Sequence, residues 1–582
     1  MIKELEPKML GAEIIAKTLK SVGVKRVFLF PGGTIAPLLD ALVKEGIAYI
    51  CTRNEQGAGY GAIGAAKVTG FPQVVVVTSG PGATNVLTPV ADAYYDSVPL
   101  LVFTGQVGTK DINFEKKVRQ TGFQETDTVN IFKPVTKRTH ILSLDEDIPK
   151  TICDSFMLTK KGRPGPVLID LPMDVQRGEI KCKNPNKYLT TVSKDNSSSK
   201  DRGSIFSKVS ELISKSKRPL ILAGNGIYIS GSVNEFRSFV EKYNIPVVCS
   251  LPGVGTLPSD HPLCFSFIGH TGEYFANLAA YYSDLLIVLG ARLDLRQTGS
   301  EIEDFKNNKT IVRVDIDENE LEFGRIKGDI NINIDLKQFF TEFLLSNSEI
   351  PKNRYSEWID KINSWKNKFH SSQFYQKPSL CMYDVIKAVD ELSKDKKVIV
   401  SSGVGGHQQM VARYFTFNYP RRRWLTSAGH GTMGFDVPTN IGAILNAEKN
   451  TLGIVFVGDG SFQMNIQELA TIKEYDLPIK IFVLDDRKLG IVSQFQLLNW
   501  NSDPSTGNKK NPSFSKIGKA YGLEGYDIYE KKEIPTVLKE VFKDLSPAVV
   551  HCHIDSSEEV LPMLLAGQKM NEMYPFKSEQ VW

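Results

Sequence analysis

Cysteine is scarce and scattered: seven residues, at positions 51, 153, 182, 249, 264, 381 and 552, with no C-x-x-C pair among them. That spacing excludes a disulfide scaffold and a thiolate zinc motif. It fits a reducing compartment in which thiols serve as small apolar side chains. No run of about 18 apolar residues occurs, so no membrane-spanning helix is expected. The opening MIKELEPKMLGAEIIAKTLKSVG has neither the apolar stretch nor the cleavage site of a secretion leader, and reads as a lead-in to an amphipathic helix. Neither charge sign dominates. The 70 basic and 66 acidic side chains leave a net charge of +4, spread evenly, which excludes a nucleic-acid footprint. The eight histidines include no adjacent pair. The expected class is a cytoplasmic enzyme of small molecules, with neither nucleic acid nor membrane as partner.

What is present is one grammar used three times. Short apolar, β-branched runs end in Gly, Pro or Asp and are followed by helical stretches. The first block has KRVFLFPGG, QVVVVTSGPG and GPVLIDLP; the second RPLILAGNG, DLLIVLGARLD and KTIVRVDID; the third KKVIVSSGVG, TLGIVFVGDG and IKIFVLDD. Runs that are apolar on both faces belong to parallel sheets covered by helices on both sides. The expected fold class is α/β, with three consecutive doubly wound parallel-sheet domains at 1–182, 204–345 and 379–565 and a tail at 566–582. Two polar connections separate them, 183–203 and 346–378, the second with a short helix inside it.

In open parallel sheets ligands bind beyond the carboxyl ends of the strands. The polar signals fall at such ends: PGG at 31–33, Glu55, SGPGATN at 79–85, GDG at 458–460 and Asp485–Asp486. Glycines let the backbone approach a ligand, and a helix N-terminus offers N–H groups to an anion. Two carboxylates at neighbouring strand ends suit a hard cation such as Mg²⁺ that keeps phosphate oxygens in its shell. The third block therefore reads as a site for a metal-bound diphosphate. In the first block, Glu55 ends an apolar run and is followed by small residues, with no further charge until Lys67. A carboxyl so placed can hold and share a proton.

These motifs, with FPGGTIAPLLDAL, NEQGAGYGAIGAAKVTG, GFQETD, GARLDLRQTG, VGGHQQM and SAGHGTMGFDVP, resemble the large subunit of acetolactate (acetohydroxyacid) synthase, a thiamine-diphosphate (ThDP) enzyme. The resemblance runs from about residue 10 to about residue 565. It implies a pyrimidine-binding first domain, an FAD-binding-type middle domain and a diphosphate-binding third domain. The implied reaction is decarboxylation of pyruvate and transfer of the hydroxyethyl unit to a second carbonyl. Glu55 matches the glutamate that shares a proton with the cofactor's aminopyrimidine. Pro31, Gly32 and Gly33 match the loop near the reacting carbon, Phe123 and Gln124 the substrate pocket, and Asn85 the cofactor's surroundings. Gly405, His407, Gln408, Gly431, Met433, Gly458, Gly460 and Ser461 match the contacts to pyrimidine and diphosphate, with Met433 as the wedge that bends the cofactor. Asp459 and Asp486, with the Lys488 carbonyl, match the Mg²⁺ ligands.

Gly224, Gly226, Gly269, Gly272, Arg292, Thr298, Asp315 and Asp317 fall where the family contacts FAD, which serves there outside redox chemistry. The block has no clean G-x-G-x-x-G, so this assignment rests on the resemblance. Arg296, Ile491 and Phe495 match the acceptor pocket. The family also implies a homo-oligomer in which the first domain of one subunit faces the third domain of another, with the small residues from Gly57 to Ala66 packed across that interface. A regulatory small subunit is left open.

Several positions depart from the pattern. Asp485–Asp486 replace Asn–Asn, Phe495 replaces a Trp, Asn54 and Tyr60 replace histidines, Met173 replaces a lysine and Leu295 an aspartate. The cofactor side is kept and the acceptor side changed. With the basic insertion of Lys116, Lys117 and Arg119, this opens the alternative of a nucleotide-linked keto-deoxysugar as acceptor; a flavin-linked pyruvate oxidase, which would use the same three domains, is the other alternative.

Overall fold

The computed structural model describes residues 8–114, 118–181, 202–345, 354–504, 506–507 and 510–580. Lys116, Lys117 and most of the first expected connection lie outside the described residues. Three six-stranded sheets, all parallel, form the frame. Their central strands are the runs that the sequence marks as apolar on both faces. Gln73–Val77, Leu285–Leu289 and Ile479–Asp485 are buried along their whole length. A two-stranded antiparallel ribbon, Lys8–Leu10 with Glu179–Lys181, ties the start of the first domain to its end.

The first and third sheets share one topology. In space the first runs Ala48–Cys51, Arg26–Leu29, Gln73–Val77, Leu100–Gln106, Val167–Pro172, Arg138–Ile141, or 2-1-3-4-6-5 in chain order. The third runs Arg422–Leu425, Val398–Ser401, Leu452–Gly458, Ile479–Asp485, Ala548–His553, Glu524–Ile528, the same order. The middle sheet differs. Its order from Cys264–Phe267 through Val247–Cys249, Pro219–Ala223, Leu285–Leu289 and Thr310–Asp315 to Ile330–Asn333 is 3-2-1-4-5-6, the order of dinucleotide-binding folds. Each order reverses at one point, and there the loops on either side diverge and leave a crevice.

Helix Glu55–Thr69 begins at Asn54, whose side chain accepts from the Gln56 N–H, and ends at Gly70 in the left-handed region (φ 65°). Asn54 thus serves as the helix cap. Every residue from Gly57 to Ala66 is buried, so the helix has no solvent face. It is sandwiched between its own sheet and helix Asp436–Ile444 of the third domain. A Cβ on Gly64 would lie 1.9 Å from the Thr439 carbonyl oxygen, and one on Gly442 1.7 Å from that of Gly61. Only hydrogen fits at these positions, and the two backbones touch. The expectation that the small residues pack across a subunit interface is corrected here: their partner is the same chain. Two docked helices bury more apolar surface than a helix left facing water.

The other junctions are equally closed. One apolar core runs without a break from the middle sheet into the third. Arg163 of the first domain pairs with Asp317 at 3.1 Å and Glu320 at 2.8 Å in the middle one. The tail expected at 566–582 packs onto the middle domain, together with Leu564 just before it. Leu564, Met570 and Met573 are buried in the middle domain's core beside Trp358 and Trp365 of helix Ser356–Phe369. No helix among the described residues is long and apolar enough to cross a membrane.

Candidate functional site

At the reversal of the third sheet, strands Val398–Ser401 and Leu452–Gly458 each feed a helix, Gly406–Tyr414 and Asp459–Met464. Both helix N-termini open toward the same crevice. Gly405 precedes the first at φ 150°, and a Cβ there would meet the His407 ring at 2.5 Å. The knot of this region is Asp436, a residue that nothing in the motif spacing marks. Its carboxylate accepts from the Gly403 N–H and, at 2.5 Å, from the Ser461 hydroxyl, which itself accepts from the Gly434 N–H at 2.8 Å. Gln408 donates to Thr426 Oγ1 at 2.6 Å and the Ser427 carbonyl at 2.9 Å. Gly405, His407, Gln408, Ser461 and the Gly431–Gly434 loop are thus brought together. Gly431 and Gly434 adopt φ of 70° and 78°, which lets that loop turn back on itself, with Met433 half-buried in it.

Ser402 Oγ is buried with no hydrogen-bond partner among the described residues, and His407 Nε2 has only the Asp436 carboxylate, at 3.5 Å. Under-satisfied donors beside two helix N-termini fit an anion. The carboxylates next to them fit a cation. Asp459 and Asp486 are 1% and 4% exposed, and burial followed by the charge of Asp459 pushes the Asp486 carboxyl up to about 7. Such a pair is relieved by a divalent ion. Lys488, whose charge and backbone N–H act on Asp486 in the opposite sense, stands at the same turn. Asp485 is used differently. It accepts from His551 Nε2 at 2.8 Å and from Asn511 at 2.8 Å, and Asn511 also donates to Asp459 at 2.6 Å. Burial raises the Asp485 carboxyl, but these hydrogen bonds outweigh it and hold the group below the usual range. Adjacent aspartates therefore have different partners and opposite shifts.

The first domain presents its own set at the matching reversal. Glu55, 6% exposed, accepts through Oε2 from Asn85 Nδ2 at 2.9 Å. Its Oε1 faces Gly82, where a Cβ would come within 3.4 Å. The loop of Pro31, Gly32 and Gly33 is clasped to residues 78–79 by Thr34, whose hydroxyl accepts from the Ser79 N–H at 3.0 Å and bonds Thr78 Oγ1 at 2.8 Å. Gln124 is held at φ 64° against Gly80 (φ 59°), and its amide oxygen accepts from Ser79 Oγ at 3.4 Å. Strain of this kind gathers at ligand sites. Beside it Phe123 is 85% exposed.

Helix Pro81–Tyr95 also holds the third domain's loop. Asp96 accepts from the Gly429 N–H at 2.7 Å and from Lys67 Nζ at 2.8 Å. Asp92 accepts from Ser427 Oγ and, at 3.2 Å, from Thr432 Oγ1; burial, then the charge of Asp96, raises it to about 7. Sequence reasoning missed Asp92, Asp96, Asp436 and Asn511. For Asp92 the available signal was an acidic residue inside an otherwise apolar helix.

In the middle domain a cavity of about 300 Å³ opens at the reversal between Pro219–Ala223 and Leu285–Leu289. Gly226, Arg292, Arg296 and Asp315 line it. Gly224 and Gly226 let two loops touch: Cβ atoms there would lie 2.0 Å from the Gly290 oxygen and 2.8 Å from its Cα. Gly269 (φ 113°) touches the Arg296 carbonyl in the same way, and Gly272 meets Phe267 O at 2.4 Å. Ser250 Oγ and Gln297 Oε1, both lining the cavity, have no partner among the described residues. Thr298 instead bonds back to the Asp294 carbonyl, and Asp317 pairs with Arg163. Phe495 and Ile491 do not join Arg296 in this cavity. They sit on helix Gly490–Trp500, which buries Ser493 and Gln494 and exposes Val492, Phe495, Leu497 and Trp500.

Comparison with known proteins agrees with this geometry in every domain. Residues 9–131 match the thiamine pyrophosphate enzyme N-terminal TPP binding domain, 206–343 the central domain and 403–552 the C-terminal TPP binding domain. The chain is 40% identical to an acetolactate synthase large subunit of Lactococcus lactis, over 98% of this chain and 97% of that one. It is 38% identical to a probable acetolactate synthase large subunit of Methanocaldococcus jannaschii (98% and 96% covered) and 34% identical to acetolactate synthase isozyme 3 large subunit of Escherichia coli (98% and 99%). Three domain matches in order, the shared strand topology and near-complete coverage place the chain in one group: it belongs to the thiamine-diphosphate enzymes, in the family of acetolactate synthase large subunits.

Proposed function

We propose that the chain condenses two 2-oxo acids: it decarboxylates pyruvate and joins the resulting two-carbon unit to a second 2-oxo acid, releasing CO₂ and a 2-hydroxy-3-oxo acid that keeps the acceptor's side chain at C2 (2-methyl when the acceptor is pyruvate). The observation that carries this is the pairing of a buried anion-and-cation cradle in the third domain with a buried, oriented carboxyl, Glu55, in the first. This reading takes the place of the keto-sugar acceptor and of the flavin-linked oxidase. When bound, ThDP supplies a nucleophilic carbon and an electron sink.

The chain supplies position and protons. The N-termini of helices Gly406–Tyr414 and Asp459–Met464, with His407 Nε2, hold the diphosphate, and Asp459, Asp486 and the Lys488 carbonyl hold Mg²⁺ beside it. The Gly431–Met433 loop, fixed by Asp92 and Asp96, presents backbone and an apolar wedge to the pyrimidine. Glu55 Oε2 is tied to Asn85, which leaves Oε1 to exchange a proton with the pyrimidine ring nitrogen. Gln124 and Gly33 line the approach to the reacting carbon. Arg296 offers its cation to a carboxylate, and the middle cavity, lined by Gly226, Arg292 and Asp315, would hold FAD outside redox chemistry.

One chain cannot close this site alone. Helix Asp436–Ile444 runs antiparallel to helix Glu55–Thr69, with Gly64 against Thr439 and Gly61 against Gly442, so Asp436 lies across from the Lys67 end. Glu55 is twelve residues away, about 18 Å at about 1.5 Å per residue. A second copy must bring its Glu55 to the first copy's cradle, so the working unit is at least a homodimer. Complementation tests this. Glu55→Gln and Asp459→Asn proteins, each inactive alone, should regain acetolactate formation from pyruvate when unfolded together and refolded as mixed dimers. Activity that stays absent in the mixture, with dimers formed, would overturn the shared site. Wild-type protein that consumes pyruvate without forming acetolactate would overturn the reaction.

A further inference from the structure

The third sheet carries a second group of ligating side chains that the proposed chemistry does not use. His551 and His553 are two apart on strand Ala548–His553 and so point to the same face. The register sets His553 opposite Asp485 on one neighbouring strand and His551 opposite Asp527 on the other. Three adjacent strands therefore place two imidazoles and two carboxylates on one face at the carboxyl edge of the sheet. One ring nitrogen of each histidine and a carboxylate oxygen of Asp485 lie within 4.8 Å of one another, and His553 Nε2 also meets Asp527 Oδ1 at 3.2 Å. The rings of the two histidines are 4.0 Å apart. His551 and Asp485 are buried, whereas His553 keeps about a third of its side chain in solvent beside the exposed Tyr529, which stacks on it at 4.1 Å. The group has an inner wall and an open side.

We propose that Asp485, His551 and His553 form a binding site for a borderline divalent transition ion of the Zn²⁺ or Co²⁺ class, separate from the cation site of Asp459 and Asp486. Two imidazoles with one carboxylate select such ions over Mg²⁺, which takes oxygen ligands and near-octahedral geometry. In the ion-free form the Phe514 N–H points at His551 Nδ1 (3.4 Å), so the imidazole proton is on Nε2 and bridges to Asp485 at 2.8 Å. A bound ion takes the place of that bridging proton. Ligand atoms around a tetrahedral ion sit about 3.3 Å apart, so His551 and Asp485 open by about 0.5 Å. The His551 proton moves to Nδ1, where Asp527 Oδ1 stands at 3.6 Å; His553 gives up its 3.2 Å contact with that same oxygen as it turns a deprotonated nitrogen to the ion and keeps its proton on the other, and the long bond from Phe514 is given up. Asp527 then orients the ligating ring, as carboxylates do behind metal-bound histidines. Its other oxygen is already fixed by Ser515 Oγ at 2.6 Å. The fourth position is open to water.

The test is a Co²⁺ titration of the full-length protein in saturating Mg²⁺ and ThDP, read by visible absorption and by X-ray absorption at the cobalt edge. The expected result is one Co²⁺ per chain, in a four-coordinate visible spectrum, with two imidazole shells. His553→Gln, at a partly exposed position, should weaken binding at least tenfold, while His140→Gln, at the separate His140–Glu146 pair, should not change it. Co²⁺ that Mg²⁺ displaces completely, a cobalt shell without two imidazoles, or equal binding by His553→Gln would each overturn the site. If His553→Gln does not fold, the wild-type cobalt shell decides alone.

Discussion

The first and third domains share one strand order and put their functional groups at the same reversal of that order, yet the two crevices have opposite chemistry. The first offers a single oriented carboxyl among small and apolar groups. The third offers helix N-termini, under-satisfied donors and an acidic pair. Topology fixes where a ligand can approach, and side chains fix which end of the ligand is welcome. The middle domain sharpens the point. Its different order, 3-2-1-4-5-6, goes with a cavity of about 300 Å³ lined by touching glycine loops and by Arg292 and Arg296.

The comparison is broken most strongly at Glu55. Glu55→Gln should lower kcat for acetolactate formation by about a hundred- to ten-thousandfold, the range for a lost acid–base group. ThDP and Mg²⁺ affinity, measured by fluorescence quenching, should stay within about threefold of wild type, because the proposed reading assigns both to residues of the third domain. A comparable loss of cofactor affinity would show that the two crevices do not divide the work.

The third domain carries a pH signature in its affinity for a cation. Asp486 is raised to about 7, so below that pH it carries a proton that Mg²⁺ must displace. Mg²⁺ affinity should fall about tenfold per pH unit below about 7 and level off above it. The sign for folding is opposite. A carboxyl raised in the folded state contributes stability at low pH that is lost as the pH rises from the unfolded value of 3.8 through about 7. The stabilisation given by Mg²⁺, read as the shift in unfolding midpoint, should therefore grow with pH across that window. A pH-independent shift would mean that Asp486 does not meet the ion.

The smallest effect belongs to the middle domain. Gly224→Ala places a Cβ 2.0 Å from the Gly290 oxygen and forces the two loops apart. Flavin retained through purification, read by visible absorbance, should weaken about tenfold, or about 1.4 kcal/mol. ThDP affinity should be unchanged, since that cavity takes no part in the third domain's cradle.

Much of this was legible in the chain. The β-branched runs gave three parallel sheets, and Glu55, the GDG turn and Asp486 stand where strand ends and glycines put them. Asp485 shows the limit. Beside Asp486 it reads as half of one acidic pair, but strand pairing turns it toward His551 and Asn511. Asp92, Asp96 and Asp436 were illegible for a related reason. Each looks like an ordinary acidic residue in a helix until the chain brings the backbone N–H and hydroxyl groups of a distant loop to it.

The glycines after Glu55 divide the two sources of information most cleanly. Their number and spacing, with Asn54 before and Gly70 after, determine a close-packing helix from sequence alone, because a face without side chains must meet another backbone. Which backbone it meets was decided only by the tertiary structure. Helix Asp436–Ile444 of the same chain fills that face, so Glu55 and Asp436 are held at opposite ends of one contact. A sequence records what a surface can accept, whereas the partner is chosen by the arrangement of all three domains that buries the most apolar area and leaves the fewest polar groups unpaired.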